Sequence, residues 1–396
     1  MSAQAGAERD SGKSVVWVFD LGCPDPEPVT LRQAVDRIFT LSGTRSALAG
    51  KRVLVKPNIL APVPPEMHVT TTPALVRAVV DAVRDAGGRP AVGDNPGGVE
   101  RNSLRTAEAC GIYAAADGCF KNLSEEVVEV KTENPYADKF VVSKFILEAE
   151  YVINLPVFKT HLLTTLTGAV KNCFGYVAGT NKAKLHLSAF TRGRFVHALL
   201  DIYSVRIPDL HIVDALYVME GDGPTHGHVR PLGKLIAGTD GLAVDAVLTM
   251  MMGLDPMEVR LFQKAAELES QGRPPLGRYR RGEVLVRDSD DRPVEIEPIP
   301  NFVLPRTLKE ISASLQEQAE ILTALGNIRP RVNEDRCALC GDCADNCPAG
   351  AITLDPYPVV DAAKCISCFC CAELCMEGAM EVPSGEATGL FDRMFR

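Results

Sequence analysis

The sequence predicts an α/β protein in which a large, mostly parallel sheet is followed by a small C-terminal α+β domain rich in cysteine. Two observations predict the larger part: apolar, β-branched runs alternate with segments of helical period, and polar residues recur where those runs end. A third predicts the smaller part, since nine of the 13 cysteines lie between Cys337 and Cys375. We expect a disordered arm at residues 1–13, an α/β body of one or two lobes at 14–326, the cysteine-rich domain at 327–384 and a tail at 385–396.

The first part of the body is predicted to alternate between strands and helices. One strand ends at Pro57, because proline has no N–H to donate to a neighbouring strand. Thr72 and Pro73 suit the cap and first turn of a helix, and Gly87 with Gly88 suits its end. The expected elements are strands at residues 14–19, 51–56 and 89–93 and helices at residues 31–39 and 74–86, with a further helix after residue 98.

The same alternation continues through the rest of the body, which favours parallel strands joined by helices. The expected elements are strands at residues 151–155, 211–214 and 234–237 and helices at residues 194–204, 242–252 and 306–325. Residues 270–305 are rich in Pro, Arg and Asp. We therefore expect them to be the least regular part of the body, with a short hairpin around residues 283–286.

Two cysteine runs with the same spacing predict two iron–sulfur clusters. The first run is Cys337, Cys340, Cys343 and Cys347, and the second is Cys365, Cys368, Cys371 and Cys375. Three thiolates at this spacing bind one 4Fe-4S cluster, whereas the chain carries the fourth thiolate to the other cluster. We therefore assign Cys337, Cys340, Cys343 and Cys375 to cluster one and Cys365, Cys368, Cys371 and Cys347 to cluster two. Cys370 is left over, and we expect it to pack beside a cluster as a small apolar residue.

The cysteine-rich stretch resembles the bacterial two-cluster ferredoxins. The resemblance includes an internal repeat, in which residues 349–352 (AGAI) correspond to residues 377–380 (EGAM), although Met376 stands where the first half has Pro348. Zinc sites use close ligand pairs separated by a longer spacer, so zinc is disfavoured. Disulfides need an oxidising compartment, and residues 1–14 contain no apolar run that could act as a signal peptide.

Composition predicts a soluble, cytoplasmic protein. The chain is 46% hydrophobic and 23% charged, and it has no apolar run of about 18 residues or more that could span a membrane. Its net charge of −9 disfavours nucleic-acid binding, because phosphate contacts need a basic surface. We expect neither a nucleic-acid partner nor a membrane span, and instead an unknown redox partner or a small anionic substrate.

Polar residues at the predicted strand ends form the candidate site, because ligands of parallel sheets bind outside the carboxyl ends of strands. The candidate ligand-binding residues are Lys56, Asn58, Asp94, Asn172 and Asp214. The candidate catalytic residues are His161, Lys159 and Lys171. His161 is the expected acid, since histidine titrates near neutral pH, and either lysine would stabilise negative charge. Together with Lys56, these two lysines predict a cationic pocket for a carboxylate or phosphate.

A shared site has two geometric requirements. The strands that end at Lys56 and Leu155 must be near neighbours, with their carboxyl ends on one edge of the sheet. The cysteine-rich domain must lie over that edge, because electron transfer weakens steeply with distance.

Two other hypotheses are less favoured than a tight surface loop and an inert buried cysteine. They are a metal site at Glu220, Asp222, His226 and His228, and a reactive thiol at Cys173.

Six short segments of the body carry a second resemblance: residues 55–58 (VKPN), 159–161 (KTH), 167–172 (TGAVKN), 213–214 (VD), 220–224 (EGDGP) and 240–245 (DGLAVD). They resemble the domain of unknown function 362 family, whose members often carry this ferredoxin module. With the cysteine runs, they predict an iron–sulfur oxidoreductase of anaerobic metabolism that passes single electrons to a substrate or partner at the α/β cleft. The alternatives are a non-catalytic electron carrier or assembly factor that docks a partner, and an anion-binding transferase whose ferredoxin part is structural.

Overall fold

The computed structural model describes residues 12–97, 103–179, 181–189, 192–305 and 329–381. Most of the predicted N-terminal arm, the helix predicted at residues 306–325 and the predicted C-terminal tail lie outside these ranges. The described part has a large α/β body and a small cysteine-rich domain of short strands and helices. This confirms the predicted fold class.

A nine-stranded sheet runs through the described part of the body. The strands of the body are β1 (Ser14–Asp20), β2 (Arg52–Pro57), β3 (Arg89–Val92), β4 (Val127–Lys131), β5 (Lys139–Ser143), β6 (Tyr151–Leu155), β7 (Val157–His161), β8 (Thr165–Thr167), β9 (Leu210–Glu220), β10 (His228–Gly238) and β11 (Val284–Arg287). The order across the sheet is β11-β1-β10-β9-β6-β2-β3, while β7 pairs with β9 and with β8. β4 and β5 form a separate hairpin.

Most strand pairs in the sheet are parallel. β3, β2, β6 and β9 run in the same direction, and β10 runs antiparallel to both of its neighbours, β1 and β9. The carboxyl ends of β2, β3 and β6 therefore lie at one edge of the sheet. This is the edge at which parallel sheets bind ligands.

Helices cover both faces of the sheet. They are α1 (Pro28–Leu41), α2 (Thr44–Ala47), α3 (Pro73–Asp85), α4 (Leu104–Ala109), α5 (Ile112–Ala115), α6 (Lys144–Glu148), α7 (Ala169–Asn172), α8 (Asn181–Ser188), α9 (Arg192–Val205), α10 (Gly241–Met251) and α11 (Arg260–Ser270). Short 3-10 turns lie at Pro65–Met67, Cys173–Tyr176, Pro256–Glu258 and Arg281–Glu283.

Two apolar cores fill the space between the sheet and these helices. Successive strand residues point to opposite faces, so Val53 and Val55 pack with α1 and α3, whereas Leu54 packs on the side of α9, α10 and α11. On α1, Leu31 and Ile38 recur at helical spacing and are buried. Burying each such side chain contributes about 1.5–3 kcal/mol.

The cysteine-rich domain has the short strands and helices expected of an α+β domain. Its elements are β12 (Arg331–Val332), a 3-10 turn (Glu334–Arg336), α12 (Asp342–Asp345), β13 (Ile352–Asp355), β14 (Tyr357–Val360), α13 (Cys370–Leu374) and β15 (Met380–Glu381). β12 pairs with β15 and β13 with β14, both in antiparallel fashion. Within the described ranges, no helix of either domain combines the length and apolar character needed to cross a membrane.

Several boundaries differ from the prediction. β9 and β10 each span eleven residues, because they pair with each other along their length as a long antiparallel hairpin. The strand predicted to end at Asp214 therefore continues to Glu220. Where a short hairpin was expected, β11 pairs in parallel with β1, and the chain then turns back to form one antiparallel bridge between Arg287 and Pro293. The helices that begin at Pro28, Pro73 and Gly241 lie within a few residues of their predicted positions.

Candidate functional site

The two strands predicted to bring the site together are direct neighbours. In the parallel pairing of β2 with β6, Lys56 lies opposite Asn154 and Pro57 lies opposite Leu155. β3 flanks β2 on its other side, so the polar residues after Val92 reach the same edge. The geometric prediction for this edge of the sheet is confirmed.

The cysteine-rich domain lies over this edge. Glu373 of α13 faces His161, with 3.3 Å between the histidine Nε2 and the carboxylate Oε1. His226, beyond the end of β9, has its Nε2 3.0 Å from the carbonyl oxygen of Ala372. The second geometric requirement, that the cysteines lie over the strand ends, is therefore also met.

A buried ion pair stands at the base of the site. The Lys56 ammonium lies 2.7 Å from Asp94 Oδ1, and both side chains are almost fully buried. Asp94 Oδ2 accepts a hydrogen bond of 2.8 Å from the N–H of Ile59, so the carboxylate also positions the chain after β2. Gly175 packs against this pair, since a Cβ there would lie 1.9 Å from Asp94 Oδ1.

A chain of amide hydrogen bonds orients Asn172. Asn154 Nδ2 donates to the carbonyl of Ala169 at 2.9 Å and lies 3.1 Å from Nδ1 of His211. Burial lowers the pKa of His211 to about 3, so its ring is neutral and Nδ1 can accept. Asn154 Oδ1 is then left to accept from Asn172 Nδ2 at 2.8 Å. Asn172 Oδ1 therefore remains as an acceptor.

The segment that carries Lys171 is held by a buried carboxylate. Asp245 of α10 accepts hydrogen bonds from the N–H groups of Ala169 (2.5 Å) and Val170 (3.0 Å). Burial raises the pKa of Asp245 to about 7, and these two hydrogen bonds oppose the rise. Only glycine fits at position 168, because a Cβ there would lie 2.1 Å from Asp245 Oδ1. Lys171 is thereby fixed on a single turn of helix.

Lys159 and His161 lie directly behind the surface of the site. Lys159 donates to Asn58 Oδ1 (2.7 Å) and to the carbonyl of Val69 (2.6 Å). Burial lowers the pKa of Lys159 to about 7, with a further contribution from Lys171. His161 Nδ1 accepts from the N–H of Leu163 at 3.0 Å, which places the ring proton on Nε2, toward Glu373.

A cavity of about 80 Å³ separates the strand ends from the cysteine-rich domain. The body contributes Asn58, Ile59, Leu60, Asp94, Asn95, Gly97, Thr167, Lys171, Asn172, Phe174, Gly175 and Lys182, and the cysteine-rich domain contributes Asn346, Cys370, Glu373 and Leu374. Of the predicted site residues, Asn58, Asp94, Lys171 and Asn172 line it. Lys56, Lys159 and His161 support residues that do.

Asp214 occupies a different place from the one predicted. It lies within β9, and its Oδ2 accepts a hydrogen bond of 2.7 Å from the N–H of Thr72 at the start of α3. Its Oδ1 accepts from Leu216 at 3.2 Å. Both carboxylate oxygens are thus used inside the protein, and Asp214 is not among the residues that line the cavity.

Some residues that line the cavity were not predicted as site residues. Lys182 of α8 donates to the carbonyls of Asn95 and, at 2.8 Å, Pro96, and burial lowers its pKa to about 7. Thr167 begins the segment 167–172 that carries part of the family resemblance, but the sequence showed no specific role for it. Cys370 and Glu373 lie within the second cysteine run, which was the available signal.

The arrangement of the cysteines is compatible with 4Fe-4S clusters. One cavity inside the cysteine-rich domain is lined by Cys347, Cys365, Cys368 and Cys371 together with apolar residues, and these are the thiols assigned to cluster two. For cluster one, burial and, to a smaller extent, the nearby Cys340 and Cys375 raise the pKa of the Cys343 thiol to about 11. Four thiols around an apolar space are the donor set that such a cluster requires.

The alternative hypotheses for metal and thiol chemistry find no support. Among the described residues, no three His, Cys, Asp or Glu side chains are placed to hold a single metal ion. Glu220 instead accepts from the N–H of Val303 at 3.2 Å, and His228 is mostly exposed. Cys173 is fully buried, and burial raises its pKa to about 12, so its thiol is poorly suited to act as a nucleophile.

Comparison with known families matches both parts of the chain. The model described as Domain of unknown function (DUF362) matches residues 53–250, which include β2, α7 and the strand-end residues of the cavity. The chain belongs to this family. A model described as 4Fe-4S binding domain matches residues 329–352, which include the first cysteine run. The protein is therefore an iron–sulfur protein with a ferredoxin-like C-terminal region.

One curated relative is similar to about two thirds of this chain. Thylakoid-associated protein sll1697 of Synechocystis sp. (strain ATCC 27184 / PCC 6803 / Kazusa) is 36% identical over an alignment of 275 residues, and the match covers 66% of this chain and 81% of the relative.

Two solved structures are similar to parts of the chain. The lactate racemase apoprotein from Thermoanaerobacterium thermosaccharolyticum has a TM-score of 0.39 at 11% identity and covers 60% of this chain. A protein from Thermotoga maritima has a TM-score of 0.38 at 15% identity and covers 62%. The chain spans 57% and 59% of these two structures, respectively.

Proposed function

We propose that the protein is an oxidoreductase that passes single electrons through two 4Fe-4S clusters to a small anionic substrate in the cavity between the two domains. When bound, the clusters supply the single electrons. The residues of the body hold and orient the substrate. The substrate, as electron acceptor, would then lie against one wall of the cavity, and the cluster, as electron donor, would lie behind the opposite wall.

The observation that carries the proposal is the shared lining of the cavity. Lys171 and Asn172 come from the strand edge, whereas Cys370 and Glu373 come from the cysteine-rich domain. Cys370 lies between Cys368 and Cys371, two of the thiols assigned to cluster two. A substrate beside Lys171 would therefore lie close to cluster two, and electron transfer is fast over short distances.

Charge supports an anionic substrate. Lys171 lines the cavity and makes no hydrogen bond or ion pair with another residue in the described ranges. Burial lowers its pKa, so the cation is held at a cost that a bound anion would offset. Lys182 also lines the cavity, but its ammonium already donates to two carbonyls.

Proton supply would involve His161 and Glu373. The Nε2 proton of His161 faces Glu373, and Glu373 lines the cavity. His161 is not among the lining residues, so the acid role expected for it would require Glu373 as an intermediary. Lys159 would act by fixing Asn58, whose Oδ1 accepts its hydrogen bond.

The two clusters would connect the surface to the cavity. Of the eight assigned thiols, all within the described ranges, Cys340 of cluster one is exposed, and each set also has one buried thiol, Cys343 or Cys371. The thiols around Cys340 would therefore hold the cluster that a redox partner reaches from the surface. A cytoplasmic location and a role in anaerobic metabolism remain predictions.

The test uses anaerobically purified holoprotein reduced with dithionite and freed of excess reductant. Small anions are added one at a time, and reoxidation of the clusters is followed by visible absorbance. We expect at least one anion to reoxidise the wild type quickly and Lys171→Met slowly, with iron content unchanged. Lys184→Met is the matched control, because Lys184 is exposed and does not line the cavity.

The same experiment separates the alternative functions. If no small anion reoxidises the clusters while a protein acceptor does, the protein is an electron carrier or assembly factor. If a group-transfer activity survives loss of the clusters, the cysteine-rich domain is structural and the protein is a transferase. Equal rates in Lys171→Met and Lys184→Met would remove the cavity from the proposed reaction.

A further inference from the structure

We infer that the ligand of this cavity is a small anion that also carries its own O–H or N–H donor. The inference rests on the proposed function in one respect, namely that the cavity between the domains is the substrate site. It goes further by specifying two chemical groups on one molecule. Each group would pair with a different residue of the cavity wall.

The anionic group is required by Lys171. This ammonium is half-buried, lines the cavity and is without a hydrogen bond or ion pair among the described residues. Its nearest acidic neighbour, Glu373, acts on it electrostatically but lies beyond ion-pair distance. A carboxylate or other small oxyanion would form a charge-assisted hydrogen bond with this partly buried ammonium.

The donor group is required by Asn172. Both the neutral His211 ring and the carbonyl of Ala169 accept from Asn154, so Asn154 must accept from Asn172 through its Oδ1. Flipping the Asn172 amide would place two oxygens against each other. Its own Oδ1 is therefore locked as an acceptor, and this buried atom has no partner among the described residues.

A second buried oxygen on the same wall is also unpaired. Thr167 is 2% exposed, lines the cavity, and its Oγ1 has no hydrogen-bond partner in the described part of the chain. A hydroxyl can donate or accept, so Thr167 suits either group of the ligand. Leaving such buried groups unpaired is costly, which favours a ligand that satisfies all three. The cavity volume of about 80 Å³ is sufficient for a ligand of a few non-hydrogen atoms.

Two probe anions isolate the donor. Glycolate and propionate have the same charge and nearly the same shape, but only glycolate carries a hydroxyl. Each is titrated by calorimetry into oxidised holoprotein, so that binding is measured without electron transfer. We expect glycolate to bind about tenfold more tightly, because propionate leaves Asn172 Oδ1 unpaired.

Variants test the anionic half of the inference. Lys171→Met should weaken both probes by about tenfold or more and keep the preference for glycolate, whereas Lys184→Met should bind both as the wild type does. Equal affinity for the two probes, or no binding of either, would overturn the inference. Equal affinity would still leave the proposed function standing. A clear preference for glycolate in a protein whose clusters no anion reoxidises would instead remove the proposed function and keep the inference.

Discussion

Replacing Gly175 with alanine should destabilise the protein, although alanine usually stabilises a chain relative to glycine. The new methyl carbon would lie 1.9 Å from Asp94 Oδ1 and 2.8 Å from the Lys56 ammonium, both far inside van der Waals contact. The two charged groups would have to separate, and neither would gain full hydration because both side chains are almost fully buried. Breaking a buried ion pair costs about 3–5 kcal/mol.

Anaerobic urea denaturation of the holoprotein measures this cost. At typical slopes, a loss of this size lowers the urea midpoint by about 1 M or more. Gly282→Ala is the matched control, because a Cβ at that position meets nothing within 4 Å and the backbone does not require glycine. Its midpoint should equal that of the wild type. If Gly175→Ala is as stable as Gly282→Ala, the ion pair does not hold the base of the site as described.

Three further outcomes are expected. Cys343→Ser should lower the iron content from about eight to about four per chain, whereas Cys370→Ala should keep about eight; iron loss in Cys370→Ala would contradict the ligand assignment. The free energy of unfolding of the wild type should rise between pH 7 and pH 10. The reason is that the buried Lys159 and Lys182 have pKa values of about 7, so the unfolded chain binds more protons than the folded chain above that pH. Lys159→Met should reduce the slope of stability against pH, and an unchanged slope would show that Lys159 does not cause the rise. Iodoacetamide at neutral pH should label the exposed Cys23 and spare the buried Cys173, as judged by mass spectrometry of native protein, and labelling of Cys173 would contradict its burial.

Periodic apolar patterns predicted the long helices α1, α3, α9 and α10 and several inner strands, because these segments are buried on one or both sides. The pattern failed where strands are half exposed. The first five residues of β10 are exposed or only partly buried and include His228, Arg230 and Pro231, so no apolar run marks that half of the strand. β4 alternates between exposed and partly buried residues, and its partner strand stabilises it. These strands form because they pair with segments that are distant in sequence. Such pairing cannot be recognised in a single sequence.

The candidate site was predicted in part for similar reasons. Lys171 and Asn172 could be found because small residues and polar residues follow one another there, as they do where backbone approaches a ligand. The contact of Asp214 inside the protein could not be predicted, because the helix start that uses its carboxylate lies 142 residues away in sequence. Lys182 has no motif around it. The orientation of Asn172 depends on Asn154 and His211, which are brought together only by the folded sheet.

The central claim is that a ligand in the cavity lies beside cluster two, and electron paramagnetic resonance of reduced variants tests it most directly. Cys343→Ser should retain cluster two, and Cys365→Ser should retain cluster one. Added glycolate is predicted to change the signal of the reduced Cys343→Ser protein and to leave the signal of Cys365→Ser unchanged. A change confined to Cys365→Ser, or no change in either variant at glycolate concentrations that calorimetry shows to be saturating, would contradict the account.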